Sequence, residues 1–495
     1  MNKKPNEESL DRRRAGLLLH ISSLPGNGST GDLGPAAYQL VGFLERTGFS
    51  VWQILPVGPT HGDGSPYQSL SMHAGNPRFV SLDRLVDEGL LPPELSARQQ
   101  ISDREKERLL RAAWRTFVNR RDEGLARDLE RFARDEQYWL DEYALFRALR
   151  EAHDSRSWWE WPGDLRDRKP KAIQEAIVRL APELDYIRFE QFQFFRQWSA
   201  LKRHANERGI RLFGDMPIFV SHDSAEVWAN REMFTLDAAG QPEVVAGVPP
   251  DYFSATGQRW GNPLYRWERM QEDGFSFWVK RMKTQLRLFD LIRIDHFRGF
   301  EAYWEIPAEH EHAIHGRWVK TPGNLLFDRL HQAYQRLPLV AEDLGIITPE
   351  VDAMRLAHGL PGMKILQFAF SGGPDNPYLP FRHEANSVVY TGTHDNDTTL
   401  GWYLSLDDDS RQYVDEYLGR SREAMPWPLI RMALASRSKL AVIPMQDILG
   451  LDGSHRMNLP GSTEGNWSWR FDWSQVDEEL PHRLRRRVEM YGRLG

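Results

Sequence analysis

The chain has 495 residues and a net charge of -7, and 41% of its residues are hydrophobic, 27% are charged and none is cysteine. It can bury a large core, and the lack of cysteine excludes disulfides and thiolate chemistry and fits a reducing compartment such as the cytoplasm. We find no long basic run, no membrane-length apolar stretch and no signal-peptide pattern after the charged segment 1–14, for which we expect a disordered tail.

Eight short apolar runs recur along the chain, and each ends in polar, glycine or proline residues. We interpret them as β-strands at residues 15–26, 50–60, 209–220, 291–299, 338–345, 362–370, 386–398 and 439–450. The segment between the first two runs has helical spacing of its apolar residues, which indicates a strand–helix–strand unit with parallel strands. Eight such strands alternating with helices predict an α/β fold for residues 15–495, a (β/α)8 TIM barrel with insertions.

Two long insertions interrupt the alternation of strands and helices. Residues 84–208 are dense in charge and helical in period, which predicts a mainly helical insertion between strands 2 and 3. Residues 221–285 form a second insertion, and its centre at 248–267 mixes aromatic residues with Gly, Pro, Asn and Ser. The aromatic content argues against disorder, so we interpret 248–267 as a lid loop over a cleft.

The chain contains 18 tryptophans, and aromatic residues make up 12% of it. A large core accounts for such a content, and so do stacking platforms for the flat, partly apolar faces of sugars. Several tryptophans stand beside Gly, Pro or polar residues, as in RWGNP from Arg259 and NWSW from Asn466, which favours loops. Tyr67, in the polar loop after strand 2, is a candidate sugar platform, although a structural role is equally compatible with its position.

Charged residues follow three of the predicted strands. In LIRIDHFRG at 291–299, Arg293 and Asp295 are two positions apart and should project to the same side of the strand. Glu342 ends strand 5 and Asp395 ends strand 7. Because the carboxyl ends of parallel barrel strands meet at one face, we expect these three carboxylates to lie around a common mouth.

Paired carboxylates at such a mouth suit retaining glycoside chemistry, in which one attacks the anomeric carbon and the other transfers a proton. Arg293 should keep Asp295 ionised, and a less polar surrounding would raise the pKa of Glu342. A single strand-end carboxylate often only caps a helix or binds a backbone amide. Three of them together favour the catalytic interpretation.

Four stretches closely resemble the signature strands of the 4-alpha-glucanotransferases, or amylomaltases, of the alpha-amylase clan. They are RIDHFRG (293–299), AEDLG (341–345), TGTHDNDT (391–398) and GDMPIFV (214–220). Three further stretches resemble other hallmarks of that family: HISSLPG (20–26), SPYQ (65–68) and GQRWGNPLY (257–265). The resemblance runs from about residue 14 to the C-terminus and implies glycoside hydrolase family 77, which transfers alpha-1,4-glucan segments to the 4-hydroxyl of an acceptor.

The resemblance also implies a role for each matching residue. Asp295 would be the nucleophile of a covalent glucosyl-enzyme, Glu342 the general acid/base, and Asp395 the third carboxylate, which favours a distorted sugar ring. Eight further residues would contact substrate: Arg293, His394, Asp215, Tyr67, Trp260, Asn262, Pro263 and His296. No cofactor or metal is implied. The expected partners are maltooligosaccharides, starch- or glycogen-derived glucans and glucose, with no nucleic acid or membrane, for a monomer or homodimer in the cytoplasm.

Two alternatives stay open at this point. A hydrolase of the same clan uses the same carboxylates, and the sequence does not give the partition between water and sugar as acceptor. A non-catalytic glucan-binding protein would lack the nucleophile or the acid/base, and both are present here. The three histidines of EHEHAIHG at 309–316 could bind a metal, but we prefer a polar loop after strand 4.

Overall fold

The computed structural model describes residues 10, 12–97, 100–120, 122–250, 254–462 and 464–494. Its strands, numbered in chain order, are β1 (Arg14–Leu18), β2 (Val51–Gln53), β3 (Arg211–Met216), β4 (Val244–Val248), β5 (Gln258–Pro263), β6 (Leu291–Ile294), β7 (Ala302–Pro307), β8 (Arg317–Lys320), β9 (Leu339–Ala341), β10 (Gly362–Ile365), β11 (Ser387–Tyr390) and β12 (Leu440–Pro444). Eight of them form one parallel sheet in the order β10-β11-β12-β1-β2-β3-β6-β9. This nearly closed sheet confirms the predicted barrel, and each of its strands lies within or beside a predicted run.

The α-helices of the described residues, again in chain order, are α1 (Pro35–Thr47), α2 (Leu82–Asp87), α3 (Asp103–Arg120), α4 (Glu123–Asp135), α5 (Gln137–Ala152), α6 (Gly163–Arg166), α7 (Pro170–Arg179), α8 (Ala181–Glu207), α9 (Ala225–Ala229), α10 (Trp267–Glu272), α11 (Ser276–Leu288), α12 (Gly323–Tyr334), α13 (Pro349–Ala357), α14 (Thr399–Ser405), α15 (Asp408–Tyr417), α16 (Trp427–Ala435), α17 (Met445–Ile448) and α18 (Leu480–Met490). Helices α3 to α8 occupy the segment 84–208 that was predicted to be helical. None of the described helices has the length and apolar character that a bilayer crossing requires.

Both faces of the barrel strands are buried, which explains why the strands appear in the sequence as nearly continuous apolar runs. One face fills the barrel interior with a cluster that includes Val51, Phe213, Leu291, Val340 and Leu440. The alternate residues of the same strands pack outward against the helices. Polar side chains therefore emerge where the strands end, and this places them at one face of the barrel. Arg14 already begins β1, whereas residues 1–9 and 11 of the expected tail lie outside the described residues.

The barrel closes between β9 and β10 through the carboxylate of Asp343, the neighbour of Glu342. Asp343 Oδ1 accepts a hydrogen bond of 2.6 Å from the Met363 backbone N–H, and Arg355 Nε lies 3.3 Å from Asp343 Oδ2. Gly362 is required beside it, because a Cβ there would overlap the Asp343 carboxylate. Of the two adjacent carboxylates at this strand end, Asp343 therefore has a structural role, and Glu342 lines the cleft.

Replacing Asp343 by Ala should lower the free energy of unfolding by about 3 kcal/mol, because it leaves the buried Met363 N–H without its acceptor and removes one of the carboxylates that face the buried Arg355 guanidinium. The shift of the urea midpoint measures the loss. Asp352→Ala is the matched control, since Asp352 also pairs with Arg355, at 3.2 Å, but its side chain is 50% exposed. That control should cost less than about 1 kcal/mol. Equal losses of unfolding free energy in the two variants would contradict the role of Asp343 in closing the barrel between β9 and β10.

A second, antiparallel sheet in the order β5-β4-β7-β8 stands beside the barrel. It corrects one prediction: the segment 248–267 is not a loop throughout, because β5 pairs with β4. The polar loop predicted at 309–316 is present and joins β7 to β8, which form a hairpin. The ladder of β4 and β5 depends on Gly247, where any Cβ would overlap the Gln258 carbonyl oxygen. Part of the predicted lid, residues 251–253, lies outside the described residues.

Candidate active site

A cleft of about 580 Å³ opens at the carboxyl ends of the barrel strands. The three carboxylates predicted to be catalytic line it: Asp295, Glu342 and Asp395. Five of the eight predicted substrate contacts also line it: Arg293, Tyr67, Trp260, Asn262 and His296. The other three, Asp215, His394 and Pro263, are not part of its lining. Clefts of this size at this face of a barrel are the usual place of small-molecule and polymer chemistry.

Asp295 directly follows β6 and is held by a buried arginine. Arg293 Nη2 lies 2.8 Å from Asp295 Oδ1, which confirms that the two side chains project to the same side. Arg293 Nη1 also donates to both carboxylate oxygens of Asp215, each at 2.8 Å. Burial disfavours the charge of Arg293, but the attraction of Asp215 and Asp295 outweighs it and raises the pKa of Arg293 well above its usual value. A permanent cation therefore faces Asp295.

Glu342 is half-buried and accepts two backbone hydrogen bonds. The N–H of His296 donates to Oε2 at 2.7 Å, and the N–H of Leu344 donates to Oε1 at 2.9 Å. His296 aims its N–H there from a left-handed backbone conformation with φ of 53°. Burial raises the pKa of Glu342 to about 7 against the opposing charge of Arg293, and the negative charge of Asp295 adds to the rise. Glu342 can thus hold and release a proton near neutral pH.

Asp395 is held in its ionised form from two directions. Asn458 Nδ2 donates to Asp395 Oδ1 at 2.7 Å, and His394 Nε2 lies 3.2 Å from Oδ2. Burial opposes ionisation, but the charge of His394 and the hydrogen bonds from His394 and Asn458 outweigh it and hold the pKa of Asp395 well below its usual value. Burial also works against the charge of His394, and Asp395 more than compensates, so the pKa of His394 is raised.

The predicted contacts Asp215 and His394 lie behind the wall of the cleft. Asp215 is 1% exposed, and Tyr67 Oη donates to its Oδ2 at 2.8 Å. The same hydroxyl lies 2.8 Å from His394 Nε2. The two residues are therefore positioned to orient Tyr67, Arg293 and Asp395, which do reach the cleft. Pro263 is likewise buried, in β5 opposite Val245.

Comparison with known proteins identifies the family. Residues 19–475 match the family described as 4-alpha-glucanotransferase, glycoside hydrolase family 77. The 4-alpha-glucanotransferases of Thermus thermophilus and Synechocystis sp. are 48% and 47% identical to the chain, cover 97% and 98% of it, and are themselves each covered to 99%. An amylomaltase from Streptococcus agalactiae, solved in complex with acarbose, is 34% identical with a TM-score of 0.93, over 98% of this chain and 100% of that one. The chain belongs to the 4-alpha-glucanotransferase family. The resemblance seen in its motifs is thereby confirmed, and the protein is an enzyme of the type that transfers glucan segments.

The lining of the cleft also includes residues that the sequence did not mark as substrate contacts, among them Arg298, Trp318, Asn458 and Trp467. Arg298 stands within the RIDHFRG motif, and Trp467 lies in the NWSW stretch that was assigned to a loop, so both carried a signal. Trp467 packs against Tyr67 with ring centroids 5.8 Å apart. Asn458 and Trp318 carried no signal, because they reach the cleft only through tertiary folding.

Metal binding by the histidine-rich segment 309–316 finds no support in its geometry. The His310 and His315 rings lie 5.8 Å apart and nearly perpendicular. Across the described part of the chain, no group of three or more His, Cys, Asp or Glu side chains is arranged to hold a metal ion. The segment connects β7 to β8, and it is the polar loop that we prefer above.

Proposed function

We propose that this enzyme transfers alpha-1,4-glucan segments from a donor maltooligosaccharide to the 4-hydroxyl of an acceptor glucan or glucose by a retaining double displacement. The observation that carries the mechanism is the contrast between two carboxyl groups of one cleft. Asp295 is paired with the cation Arg293, whereas desolvation raises the pKa of Glu342 to about 7. Carboxyl groups with such different surroundings are suited to the roles of nucleophile and of acid/base.

In the first step, Glu342 donates its proton to the glycosidic oxygen while an Asp295 oxygen bonds to the anomeric carbon and the glycosidic C–O bond breaks. In the second step, Glu342 takes the proton of the acceptor 4-hydroxyl, whose oxygen bonds to the anomeric carbon as the bond to Asp295 breaks. Two inversions return the alpha configuration. Asp395, ionised and oriented by Asn458, would bind sugar hydroxyls more strongly as the ring distorts.

Transfer requires that the acceptor sugar compete with water for the covalent intermediate. The described wall of the cleft includes Trp260, whose ring meets the His296 ring edge-on at 4.8 Å. The hairpin that carries Trp260 is suited to cover the acceptor side, as the lid interpretation proposed. Every proton and bond in the scheme is assigned to a side chain or a sugar, so the proposed reaction uses no cofactor or metal.

Incubation of the pure protein with maltotriose tests the proposal. Transfer should yield glucose together with a ladder of maltooligosaccharides longer than maltotriose. Shortening to maltose and glucose without any longer product would instead identify a hydrolase. The absence of disulfides fits a reducing compartment, and we further propose that the enzyme acts in the cytoplasm, as a monomer or a homodimer. Size-exclusion chromatography with light scattering measures the assembly.

The pH dependence should report the proton of Glu342. Its acid form exists below a pKa of about 7 and is lost above it, so kcat/KM for maltotriose should fall about tenfold per pH unit on the alkaline side. Maltotriosyl fluoride is the matched control donor, since fluoride leaves without a proton, and its release should stay nearly flat through the same range. If the rate fell in the same way at alkaline pH with both donors, the titrating group would not be Glu342.

A further inference from the structure

We propose that Trp318 is an acceptor-side sugar platform, braced by Arg298, and that it determines how strongly the enzyme binds the acceptor. The inference rests on the proposed function and adds a residue that governs the specificity of its second step. Trp318 lies on β8, outside the barrel, and no motif of the sequence pointed to it. Its ring nevertheless forms part of the wall of the cleft that holds Asp295 and Glu342.

The order of the elements places Trp318 on the Glu342 side of the cleft. Tyr67 and Asp395 are joined through His394 and follow β2 and β11. Glu342 follows β9, which pairs with β6, and the hairpin of β7 and β8 that carries Trp318 comes next along the chain after β6. Because Glu342 exchanges its proton with the leaving or entering oxygen, the cleft next to its strand end receives the acceptor sugar.

Arg298 connects Trp318 to that strand end. Arg298 is 7% exposed, and its guanidinium donates to the backbone oxygen of Ile346, four residues after Glu342. The same guanidinium carbon lies 3.6 Å from the centroid of the Trp318 ring. Trp318 and Ile346 therefore stand beside one another on the Glu342 side, and both line the cleft.

The Trp318 ring is fixed but not covered. Arg298 occupies one face, and Trp304 meets the ring at a centroid distance of 5.2 Å and an angle of 65°. Trp318 nevertheless keeps 38% of its surface exposed, and Ile346 keeps 56%. Trp318 therefore presents accessible surface to the cleft that it lines.

The chemistry of this surface fits a neutral sugar. A glucose ring has a face of C–H groups that packs on an aromatic ring, and a fixed ring loses little conformational entropy when the sugar arrives. Arg298 is not within ion-pair distance of any carboxylate in the described part of the chain. Burying such a cation costs free energy, and its cation–π contact with the Trp318 ring offsets part of that cost.

Maltotriosyl fluoride with glucose as the acceptor tests the inference, because the donor half-reaction then needs no acceptor sugar. For Trp318→Ala we expect KM for glucose to rise about tenfold, while the rate of the first-turnover burst of fluoride release without glucose stays within about twofold of the wild type. Trp318→Phe keeps an aromatic face and should recover most of the acceptor affinity. Glucose incorporation into maltotetraose measures transfer, and fluoride release measures the donor step.

The matched control is Trp427→Ala. Trp427 is also half-buried and also carries an arginine on its face, with the Arg483 guanidinium 3.8 Å from its centroid, but it lies outside the cleft. This control should leave KM for glucose unchanged. An unchanged KM in Trp318→Ala, or an equal loss of fluoride release and transfer, would overturn the inference. Wild-type protein that releases fluoride without forming maltotetraose would instead overturn the proposed function.

Discussion

Replacing Asp295 by Asn should lower kcat for maltotriose about 10⁴-fold or more, because the variant has no carboxylate to form the glycosyl-enzyme. Asparagine has nearly the same shape, and Arg293 keeps its two contacts to Asp215, so the cleft should remain intact. Binding of maltoheptaose should therefore persist within about threefold in affinity, since the loss concerns the transition state and not the bound ground state.

Initial rates and isothermal titration calorimetry with maltoheptaose separate these two effects. Asp375→Asn is the matched control, because the Asp375 side chain is 95% exposed and pairs with Arg382. It makes the same chemical change outside the cleft and should leave kcat within about twofold. An Asp295→Asn enzyme with full activity would refute the assignment of the nucleophile. Loss of both activity and binding would show that Asp295 holds the site together.

Replacing Glu342 by Gln should lower kcat for maltotriose about 10³-fold, since neither the leaving nor the entering oxygen then has a proton partner. The effect should depend on the donor. With maltotriosyl fluoride the first step needs no acid, whereas the second step still needs the base. The covalent intermediate should therefore accumulate on Glu342→Gln and not on the wild type.

Intact-protein mass spectrometry measures that accumulation, as a mass increase of one maltotriosyl group after donor addition. Proteolysis of the adduct should place the sugar on Asp295. The double variant Asp295→Asn, Glu342→Gln is the control and should form no adduct. Rapid fluoride release by Glu342→Gln without any adduct would indicate a single displacement, in which the acceptor attacks the donor directly.

The eight strands were predictable because each is buried on both faces, so a run of apolar residues is enough to mark it. The motif RIDHFRG also contained the ion pair of Arg293 and Asp295, since residues two apart on a strand share a side. The second sheet was not predictable in the same way. Strands β5, β7 and β8 are partly exposed and mix aromatic with polar residues, and the sheet depends on the pairing of β4 with β7, which lie far apart along the chain.

The features of the active site likewise differ in whether the sequence alone predicts them. The sequence by itself determined which carboxylates end the strands and which family the chain belongs to, because both follow from local pattern. Only the tertiary structure decided that Glu342 faces the cleft while its neighbour Asp343 closes the barrel, and that burial raises the pKa of Glu342 to about 7. It also brought Asn458 to Asp395 and Trp318 to Arg298. The physical reason is that desolvation and hydrogen bonding depend on what surrounds a group in space, and residues distant in sequence supply those surroundings.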